Sequence, residues 1–167
     1  MIIDGHNLIP KIEELALRDP EDERKLIEML QEYCRLQRKK AEVFFDNASP
    51  GQAGSQRYGL VTARFVRSNR TADDAIRDRL AQLKRSAHNW TVVSSDIQVQ
   101  AAARRARAKV VSSDQFARQL RQTLLSARGS KPEPREPRLD DKEIEDWLRL
   151  FGGSNEADRN NSDKSHP

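Results

Sequence analysis

One feature of this 167-residue chain constrains its fold more than any other: apolar runs that each lead to an aspartate. The runs 2–3, 43–45, 92–93 and 110–111 precede Asp4, Asp46, Asp96 and Asp114. Short runs of β-branched and aromatic residues that break into a turn are typical of buried strands. In open α/β sheets, ligands bind beyond the carboxyl ends of the strands. We therefore expect these aspartates at one ligand-binding edge of a sheet, with the chemistry at Asp4.

The segments between these runs have helical periodicity. Helices are predicted over 19–40, 71–87, 97–108 and 114–125. Residues 60–66 alternate as a strand does, whereas 47–59 are interpreted as a long loop that lies over the sheet edge at Asp46. Because strands alternate with helices, we predict a three-layer α/β/α domain with a central, mostly parallel sheet over residues 1–127.

The carboxyl-terminal part of the chain differs in composition. Prolines and charges at 128–139 predict an extended linker. Residues 140–151 place apolar side chains on one side of a predicted helix, and 152–167 are polar enough to predict a disordered tail. The 140–151 helix either docks on the parent domain, binds a groove on a partner, or swaps into a second copy to form a homodimer.

Charge and cysteine content limit the compartment and the partners. Cys34 is the single cysteine, so an internal disulfide is excluded and a reducing, cytoplasmic location is expected. We interpret Cys34 as a small buried side chain rather than a nucleophile. No apolar run approaches the ~18 residues of a membrane span, so no membrane partner is expected. The net charge of +4 is compatible with a polyanionic partner.

Several carboxylates in one crevice repel each other unless a cation joins them. Mg²⁺ prefers oxygen ligands and shares them with phosphate, and one or two such ions position water and polarise the phosphorus. The acids expected at this edge are Asp4, Asp46, Asp73, Asp96 and, as a further candidate, Asp114. They predict a Mg²⁺ or Mn²⁺ site for phosphodiester hydrolysis. Aspartate also caps helices, so each acid has a structural alternative, although no helix clearly starts at Asp4 or Asp46.

Asp73 and Asp74 are neighbours and need to be distinguished. Adjacent helical residues differ in direction by about 100°, so only one of the two carboxylates can face the crevice. The spacing 71–74 resembles a capping box, which pairs Asp74 with Thr71 and leaves Asp73 as the ligand candidate.

The turn after Asp4 holds two more polar side chains. Asn7 either stabilises the turn or orients a carboxylate or a bound water. His6 either contacts phosphate, carries a proton, or has no role.

Basic residues surround the predicted loop and the strand after it, namely Arg57, Arg64, Arg67 and Arg70. The planar guanidinium group suits phosphate, so these side chains are predicted to bind an RNA backbone without reading its sequence. Tyr58 either stacks on an unpaired base or packs the loop. The alternative for the arginines is an ordinary solvated surface.

Four short motifs occur in one order: Asp4-Gly5-His6-Asn7, Phe45-Asp46, Thr71-Ala72-Asp73-Asp74 and Ser94-Ser95-Asp96. Together they resemble the YacP-like group of the NYN domain, within the PIN-like nuclease superfamily, over residues 1–127. The resemblance implies a PIN-like fold and metal-dependent ribonuclease activity in bacterial RNA decay or processing. It implies metal-binding roles for Asp4, Asp73 and Asp96, a supporting role for Asn7, and a place for Asp46 in the same site.

The chain departs from the family at two points. The family's usual tyrosine before the asparagine is His6 here. The sequence also begins only two residues before Ile3, which predicts a short first strand and leaves open a start further upstream.

These observations predict a Mg²⁺- or Mn²⁺-dependent endoribonuclease that cuts single-stranded RNA. Asp4, Asp73 and Asp96 would bind metal and the arginines would hold the strand; RNA is the expected partner, with the ribosome as a further candidate. The alternative is a non-catalytic RNA- or ribosome-binding adaptor, against which the acids argue because carboxylates repel phosphate. A phosphoacceptor or phosphatase domain needs an acid pair or Asp-x-Asp after the first strand, and residues 4–6 supply neither.

Overall fold

A single sheet with helices on both faces forms the described part of the protein, a computed structural model that describes residues 1–15, 21–48 and 51–129. The strands are β1 (Ile2–Asp4), β2 (Ala41–Ala48), β3 (Gly54–Tyr58), β4 (Val61–Arg67), β5 (Thr91–Val93) and β6 (Lys109–Val111). The α-helices are α1 (Gly5–Leu8), α2 (Glu21–Gln37), α3 (Ala72–Leu83), α4 (Ile97–Arg105) and α5 (Ser113–Gly129). Turns of 3-10 helix follow α1 at Ile9–Lys11 and α3 at Lys84–Asn89.

The sheet order is β3-β4-β2-β1-β5-β6, and all of its pairings are parallel except the one between β3 and β4. The predicted mostly parallel α/β sheet is therefore confirmed. Parallel strands need crossover connections, and here helices supply them on both faces of the sheet.

The central strands are buried on both faces, as parallel strands usually are. On one face Ile3, Val43 and Phe45 pack into a core with α2 and α5. On the other face Ile2 and Phe44 pack into a second core with α3 and α4. Successive side chains of a strand point to opposite faces, so two cores require the consecutive apolar residues that mark these strands in the sequence.

Helix α2 covers the first core with an apolar stripe. The ring of its Tyr33 meets Phe116 of α5 edge-on, with the ring centroids 5.3 Å apart. Cys34 is buried in the same stripe, and this burial raises the pKa of its thiol. A protonated, buried thiol is the small packed side chain that the sequence predicted, since a nucleophile would need the thiolate.

The segment 47–59 is not the long loop that the sequence predicted. Strand β2 continues to Ala48, and Gly54–Tyr58 forms β3, an edge strand antiparallel to β4. No aliphatic residue occurs in β3 and most of it is exposed, so the apolar alternation that marks a strand is missing. The turn into β4 places Gly59 at φ +59°, a conformation that glycine adopts at little cost.

Other predicted boundaries are shifted or fall outside the described residues. Helix α3 ends at Leu83 and α4 at Arg105, earlier than predicted, while α5 continues to Gly129, past the predicted domain end at 127. The remaining linker, the 140–151 helix with its docking or homodimer role, and the tail lie outside the described residues, as do residues 16–20. No described helix is both long and apolar enough to cross a membrane.

A buried carboxylate joins β2, β4 and α3 near the amino ends of the strands. Glu42 is 9% exposed and accepts hydrogen bonds from Arg64 Nε at 2.8 Å and from Arg79 Nη2 at 2.6 Å. Burial raises the pKa of Glu42, but the two guanidinium groups outweigh burial and hold it below its usual value. Arg64 and Arg79 also lie over the rings of Phe44 and Trp90, at 5.7 and 5.3 Å from the centroids.

We expect Glu42→Gln to lower the free energy of unfolding by about 1–3 kcal/mol, because two guanidinium groups then face each other without a counter-charge. The figure is below that of a fully buried pair because solvent reaches both arginines. A lowered carboxyl pKa stabilises the fold above the ordinary pKa of 4.5, and this contribution is lost as the pH falls through the lower folded value.

Urea unfolding near pH 7 and near pH 3 measures this effect. The difference in free energy of unfolding between wild type and Glu42→Gln should be larger at the higher pH. Glu28→Gln, exposed on α2, is the matched control. Equal differences at the two pH values would contradict the assignment.

Candidate active site

The connections of the sheet reverse direction at β1, which lies between β2 and β5. After β1 the chain builds outward through β2 and β4, and it then crosses over to build β5 and β6 on the other side. Crevices at the carboxyl ends of strands beside such a reversal are where open α/β sheets bind ligands. Asp4 is the last residue of β1 and Asp46 lies near the end of β2. The edge predicted from the sequence is therefore present, and we call it the carboxyl edge.

Asp4 is the most enclosed acid of this edge, at 5% exposed. Its Oδ2 accepts a hydrogen bond from Ser94 Oγ at 2.9 Å, and its Oδ1 accepts one from the backbone N–H of Asn7 at 3.2 Å. Burial, and to a smaller extent the negative charges of Asp73 and Asp46, raise the pKa of Asp4 to about 6 despite these bonds. The protein thus holds this carboxylate where its charge is poorly compensated.

Glycine at position 5 lets the turn after Asp4 approach β2. A Cβ at Gly5 would lie 2.8 Å from the carbonyl oxygen of Phe44 and would overlap the ring of Phe45. Any side chain here would push the turn away from β2. The Asp-Gly pair is therefore required for the close approach of Asp4 and Asp46.

One hydroxyl group connects Asp4 with Asp96. Ser94 is fully buried, and its Oγ donates to Asp4 while it accepts the backbone N–H of Asp96 at 3.0 Å. Asp96 is the N-cap of α4: its Oδ1 accepts the N–H groups of Gln98 and Val99 at 2.7 and 3.0 Å. The capping role that the sequence left open for Asp96 is real, and it orients this carboxylate at the carboxyl edge.

Helix α3 presents Asp73 to the same group of acids. Burial raises the pKa of Asp73, and the charges of Asp96, Asp46 and Asp74 act in the same direction against the opposing charge of Arg77. Repulsion between carboxylates acts over a limited range, so these side chains lie near one another at the carboxyl edge. Asp4, Asp46, Asp73 and Asp96 therefore form one cluster, here called the acid cluster.

Asp74 has a different role, as its position in the sequence suggested. Thr71 is the N-cap of α3, and its Oγ1 accepts the N–H of Asp74 at 3.2 Å. The Asp74 carboxylate forms an ion pair with Arg77 at 3.3 Å. Asp74 is thus satisfied within its own helix, whereas Asp73 faces the other acids.

Asp4 and Asp46 both accept hydrogen bonds at the starts of helices, so the prediction that no helix starts at these acids is wrong. Asp4 is the N-cap of the short helix α1, and Asp46 Oδ1 accepts the N–H of Ala72 at the start of α3. Sequence reasoning missed α1 because it is a single turn without apolar periodicity, and it missed the second contact because it joins distant segments. Capping and ligand binding are compatible here, since helix N-termini partly compensate carboxylates that also repel each other.

Asn7 links three segments at the carboxyl edge. Its Oδ1 accepts the backbone N–H of Ser95 at 2.8 Å and the hydroxyl of Ser113 at 2.7 Å. Ser95 Oγ in turn accepts the N–H of Ser113 at 3.0 Å. Asn7 thereby holds the ends of β5 and β6 against the turn that carries Asp4. The serines were missed as functional residues, although the repeat of Ser-Ser-Asp at 94–96 and 112–114 was the available signal.

His6 is half-buried and bonded at both ring nitrogens. Its Nε2 lies 2.8 Å from Glu23 Oε1, and its Nδ1 accepts the N–H of Asp46 at 3.3 Å. The bond to Glu23 raises the pKa of His6 against the effect of burial, and the charges of Glu23, Asp46 and Asp4 act in the same direction as this bond. His6 thus connects α2 with the backbone beside Asp46, a contact that the sequence could not indicate.

Asp114 lies at the exposed rim of the edge. Its carboxylate pairs with Lys11 at 3.1 Å and accepts the hydroxyl of Ser95 at 3.2 Å. The hydrogen bond from Lys11 lowers the pKa of Asp114. Its charge is therefore compensated within the protein, unlike that of Asp4.

Two of the predicted RNA-binding residues lie near the acid cluster. Arg67 ends β4 and Arg70 follows it, and both are exposed. Arg70 forms an ion pair with Asp78 of α3. Arg67 makes no side-chain hydrogen bond or ion pair with the described residues, so its guanidinium group is available to a ligand.

The other three predicted RNA-binding residues lie away from the acid cluster, although the sequence analysis placed them in or just after a loop beside Asp46. Tyr58 pairs with Val61, which is level with Ala41 at the start of β2. Arg57 precedes Tyr58 and donates to the carbonyl of Gly59, and Arg64 is held by the buried carboxylate on β2. The RNA-binding role of these residues stays a prediction.

The acid cluster fits a hard divalent cation by its chemistry. Among the described residues, no three His, Cys, Asp or Glu side chains converge closely enough to be a preformed metal site. Mg²⁺ does not require one, since one or two carboxylates commonly hold it together with water and phosphate. The cluster offers oxygen donors only. Burial, together with the charges of neighbouring acids, raises the pKa values of Asp4 and Asp73, so a bound cation would stabilise their ionised forms.

We expect Asp4→Asn to stabilise the protein by about 1–3 kcal/mol near pH 7.5 in EDTA, because it removes a buried charge. The folded pKa of about 6 exceeds the ordinary value of 3.8, so the folded state binds the proton more tightly. Stability is therefore lost as the pH rises between these two values, and the gain from Asn should shrink as the pH is lowered towards 4. Urea unfolding at several pH values measures this. A variant that is less stable than wild type at pH 7.5 would contradict the burial argument.

The family model for the YacP-like NYN domain matches residues 1–151 of this chain. The crystal structure of Rae1 (YacP) from Bacillus subtilis is similar with a TM-score of 0.64 and 24% identity, over 90% of this chain and 91% of that chain. A mutant structure of the same protein is similar with a TM-score of 0.64 and 23% identity, over 77% and 78% of the two chains. A comparison with curated protein sequences gave no match.

These comparisons agree with the architecture of the sheet and its helices. At such identities the likeness between structures supports the fold, while the family model covers most of the chain. The chain belongs to the YacP-like NYN domain family, which has a PIN-like nuclease fold.

Proposed function

We propose that this protein is a divalent-metal-dependent endoribonuclease that cuts single-stranded RNA at the carboxyl edge. The observation that supports this best is the mutual repulsion within the acid cluster. Burial is the largest cause of the raised pKa values of Asp4 and Asp73, and neighbouring acids act in the same direction. The charges of Asp73 and Asp46 raise the pKa of Asp4, and those of Asp96 and Asp46 raise the pKa of Asp73. A binding protein for phosphate would gain nothing from such a cluster, whereas a metal-dependent phosphodiesterase needs one.

Asp4, Asp73 and Asp96 would hold the cation, with Asp46 as a further ligand. A bound Mg²⁺ or Mn²⁺ would supply a positive charge that polarises the scissile phosphate and lowers the pKa of a water molecule. Asp73 is the acid with the fewest competing contacts, because no described group donates a hydrogen bond to its carboxylate. Asp4 and Asp96 are positioned by the shared Ser94 hydroxyl.

The surrounding residues position these acids and the substrate. Asn7 holds the loops after β5 and β6 against the Asp4 turn, so its proposed role is supporting rather than reactive. Arg67 makes no ion pair with a described residue, and its guanidinium group at the end of β4 would bind a phosphate next to the acid cluster. The buried, reduced Cys34 suits a cytoplasmic enzyme, and we propose bacterial RNA decay or processing as its role.

We expect wild-type protein to cut an unstructured RNA in Mg²⁺ or Mn²⁺ and not in EDTA. Asp4→Asn and Asp73→Asn should each lower the cutting rate by at least about 100-fold, since even residues that merely orient metal ligands are worth 10–100-fold. Gel electrophoresis of end-labelled RNA measures both the rate and the internal position of the cuts. Glu28→Gln, far from the acids on the exposed face of α2, should cut at the wild-type rate.

The same assay distinguishes the alternative, a non-catalytic RNA-binding adaptor. An adaptor would bind the RNA with equal affinity in Mg²⁺ and EDTA and would leave it intact. Cutting by Asp4→Asn at the wild-type rate would instead refute the assignment of the site, because the reaction would then arise elsewhere or from a contaminant.

A further inference from the structure

The opposite edge of the sheet, where the parallel strands begin, has the opposite charge. Hydrogen bonds place its residues in a row: the nitrogen of Met1 donates to the carbonyl of Lys40 at 2.7 Å, and Lys109 N donates to the carbonyl of Trp90 at 2.9 Å. Since β2, β1, β5 and β6 are neighbours in this order, Lys40 and Lys109 stand three strand spacings apart, about 14 Å. Helices α2, α3 and α4 also end at this edge, because each leads into a strand that starts there.

Basic residues occupy these strand starts and helix ends. Six of them define what we call the basic edge: Arg38, Lys39, Lys40, Lys84, Arg107 and Lys109. All six are exposed, and none forms an ion pair with a described residue. Glu42, near the start of β2, is buried and engaged by Arg64 and Arg79. The positive charge of this edge is therefore not neutralised within the described part of the protein.

Three of these cations occupy backbone positions that favour glycine. Arg38, Lys84 and Arg107 have φ values of 51°, 48° and 63°, and they are the non-glycine residues with positive φ in the described chain. Each follows a helix, where glycine is the usual residue because a Cβ is disfavoured by about 1–2 kcal/mol. The chain thus places a charged side chain at each of three sites where glycine would be less strained.

Helix dipoles explain only part of this arrangement. A cation near a helix C-terminus contributes about 0.3–1 kcal/mol, which does not exceed the strain of a left-handed residue. The effect is confined to the last turn of a helix, so it does not account for Lys40 and Lys109 at the starts of strands. A ligand with several negative charges accounts for both groups.

We propose that the basic edge binds the phosphate backbone of double-stranded RNA. The row of cations suits a polyanion read by shape and charge. A single strand would need exposed aromatic rings for its bases, but Trp90 at this edge is covered by Arg79, and the ring of Tyr58 is half-buried against the core. A membrane surface would need apolar side chains to insert, and among the described residues the large exposed ones are Leu60, Ile97 and Leu125, of which Leu60 alone adjoins this edge.

This surface is separate from the acid cluster. From Ala41 to Asp46 strand β2 advances by five residue steps, about 17 Å, so one phosphate cannot contact both edges. If a duplex is bound at the basic edge, a single strand that continues from it could extend to the acid cluster. That connection rests on the proposed nuclease function, whereas duplex binding itself does not.

The strained positions give a test with an internal folding control. The triple variant Arg38→Gly, Lys84→Gly and Arg107→Gly removes three charges and also relieves three left-handed side chains. Its thermal midpoint should be no lower than that of wild type. Its affinity for a fluorescent 20-base-pair RNA duplex, measured by anisotropy in EDTA, should fall at least tenfold at low salt. The slope of log K against log salt should decrease by about 2–3 units, since each phosphate contact contributes about 0.9.

A charge-matched control is Arg24→Gln, Arg118→Gln and Arg121→Gln, exposed residues that lie before the last two turns of α2 and α5. It should keep the wild-type duplex affinity. Equal losses in both triple variants would overturn the proposal, as would wild-type affinity in the glycine variant. It would also be overturned if the glycine variant lost binding to phosphatidylserine vesicles but not to the duplex.

Cleavage of a hexanucleotide in Mg²⁺ separates this proposal from the nuclease function. Such a strand contains no duplex for the basic edge to bind, so the glycine variant should cut it at the wild-type rate. If wild type cuts no RNA, the nuclease proposal fails while the duplex measurement in EDTA still stands. If the glycine variant cuts the hexanucleotide more slowly and also keeps its duplex affinity, the basic edge serves the active site and the proposal is wrong.

Discussion

Parallel pairing of β1 with β2 and β5 is the constraint on which the site depends. It forces the carboxyl ends of these strands to one edge, and the sequence ends the strands near acids. The negative charges of the resulting acid cluster would destabilise the fold if no hydrogen-bond donors compensated them. Three compensations are visible: the N-termini of α1, α3 and α4 donate to Asp4, Asp46 and Asp96. They are incomplete, because the pKa values of Asp4 and Asp73 remain raised.

The same constraint separates charge across the molecule. Helices that cross between parallel strands have their N-termini at the carboxyl edge and their C-termini at the opposite one. Acids favour the first environment and cations the second, so the topology itself supports an acidic edge and a basic edge. The topology does not account for the positive φ values of Arg38, Lys84 and Arg107. For a protein that acts on a polyanion, one edge would carry the metal while the other attracts the substrate.

Much of the fold could be predicted from the sequence because its signals were local. The apolar runs before Asp4, Asp46 and Asp96 mark the strands of the sheet, and the stripe of α2 marks a covering helix. Strand β3 could not be predicted in this way, because an exposed edge strand carries no apolar alternation. Because Arg57 and Tyr58 belong to this strand, they lie at the end of the sheet opposite the acids.

The site was predicted less completely than the fold, because its contacts join residues far apart in the chain. The acids were identifiable, and the distinction between Asp73 and Asp74 followed from capping geometry. The Ser94 hydroxyl shared by Asp4 and Asp96, and the Asn7 bonds to 95 and 113, depend on where the strands end in three dimensions. Arg64 was predicted to face RNA, but a guanidinium group beside a buried glutamate is bound within the protein first.

The central claim is that the acid cluster carries uncompensated charge that a divalent cation neutralises. The carboxyl ¹³C resonance of Asp4, followed by NMR through a pH titration with and without Mg²⁺, tests it most directly. Without metal, the account predicts a midpoint near the raised value of about 6. With saturating Mg²⁺ it predicts a midpoint lower by at least about one pH unit, because a bound cation favours the ionised form. A midpoint near 3.8 in EDTA, or one that Mg²⁺ does not move, would contradict the account.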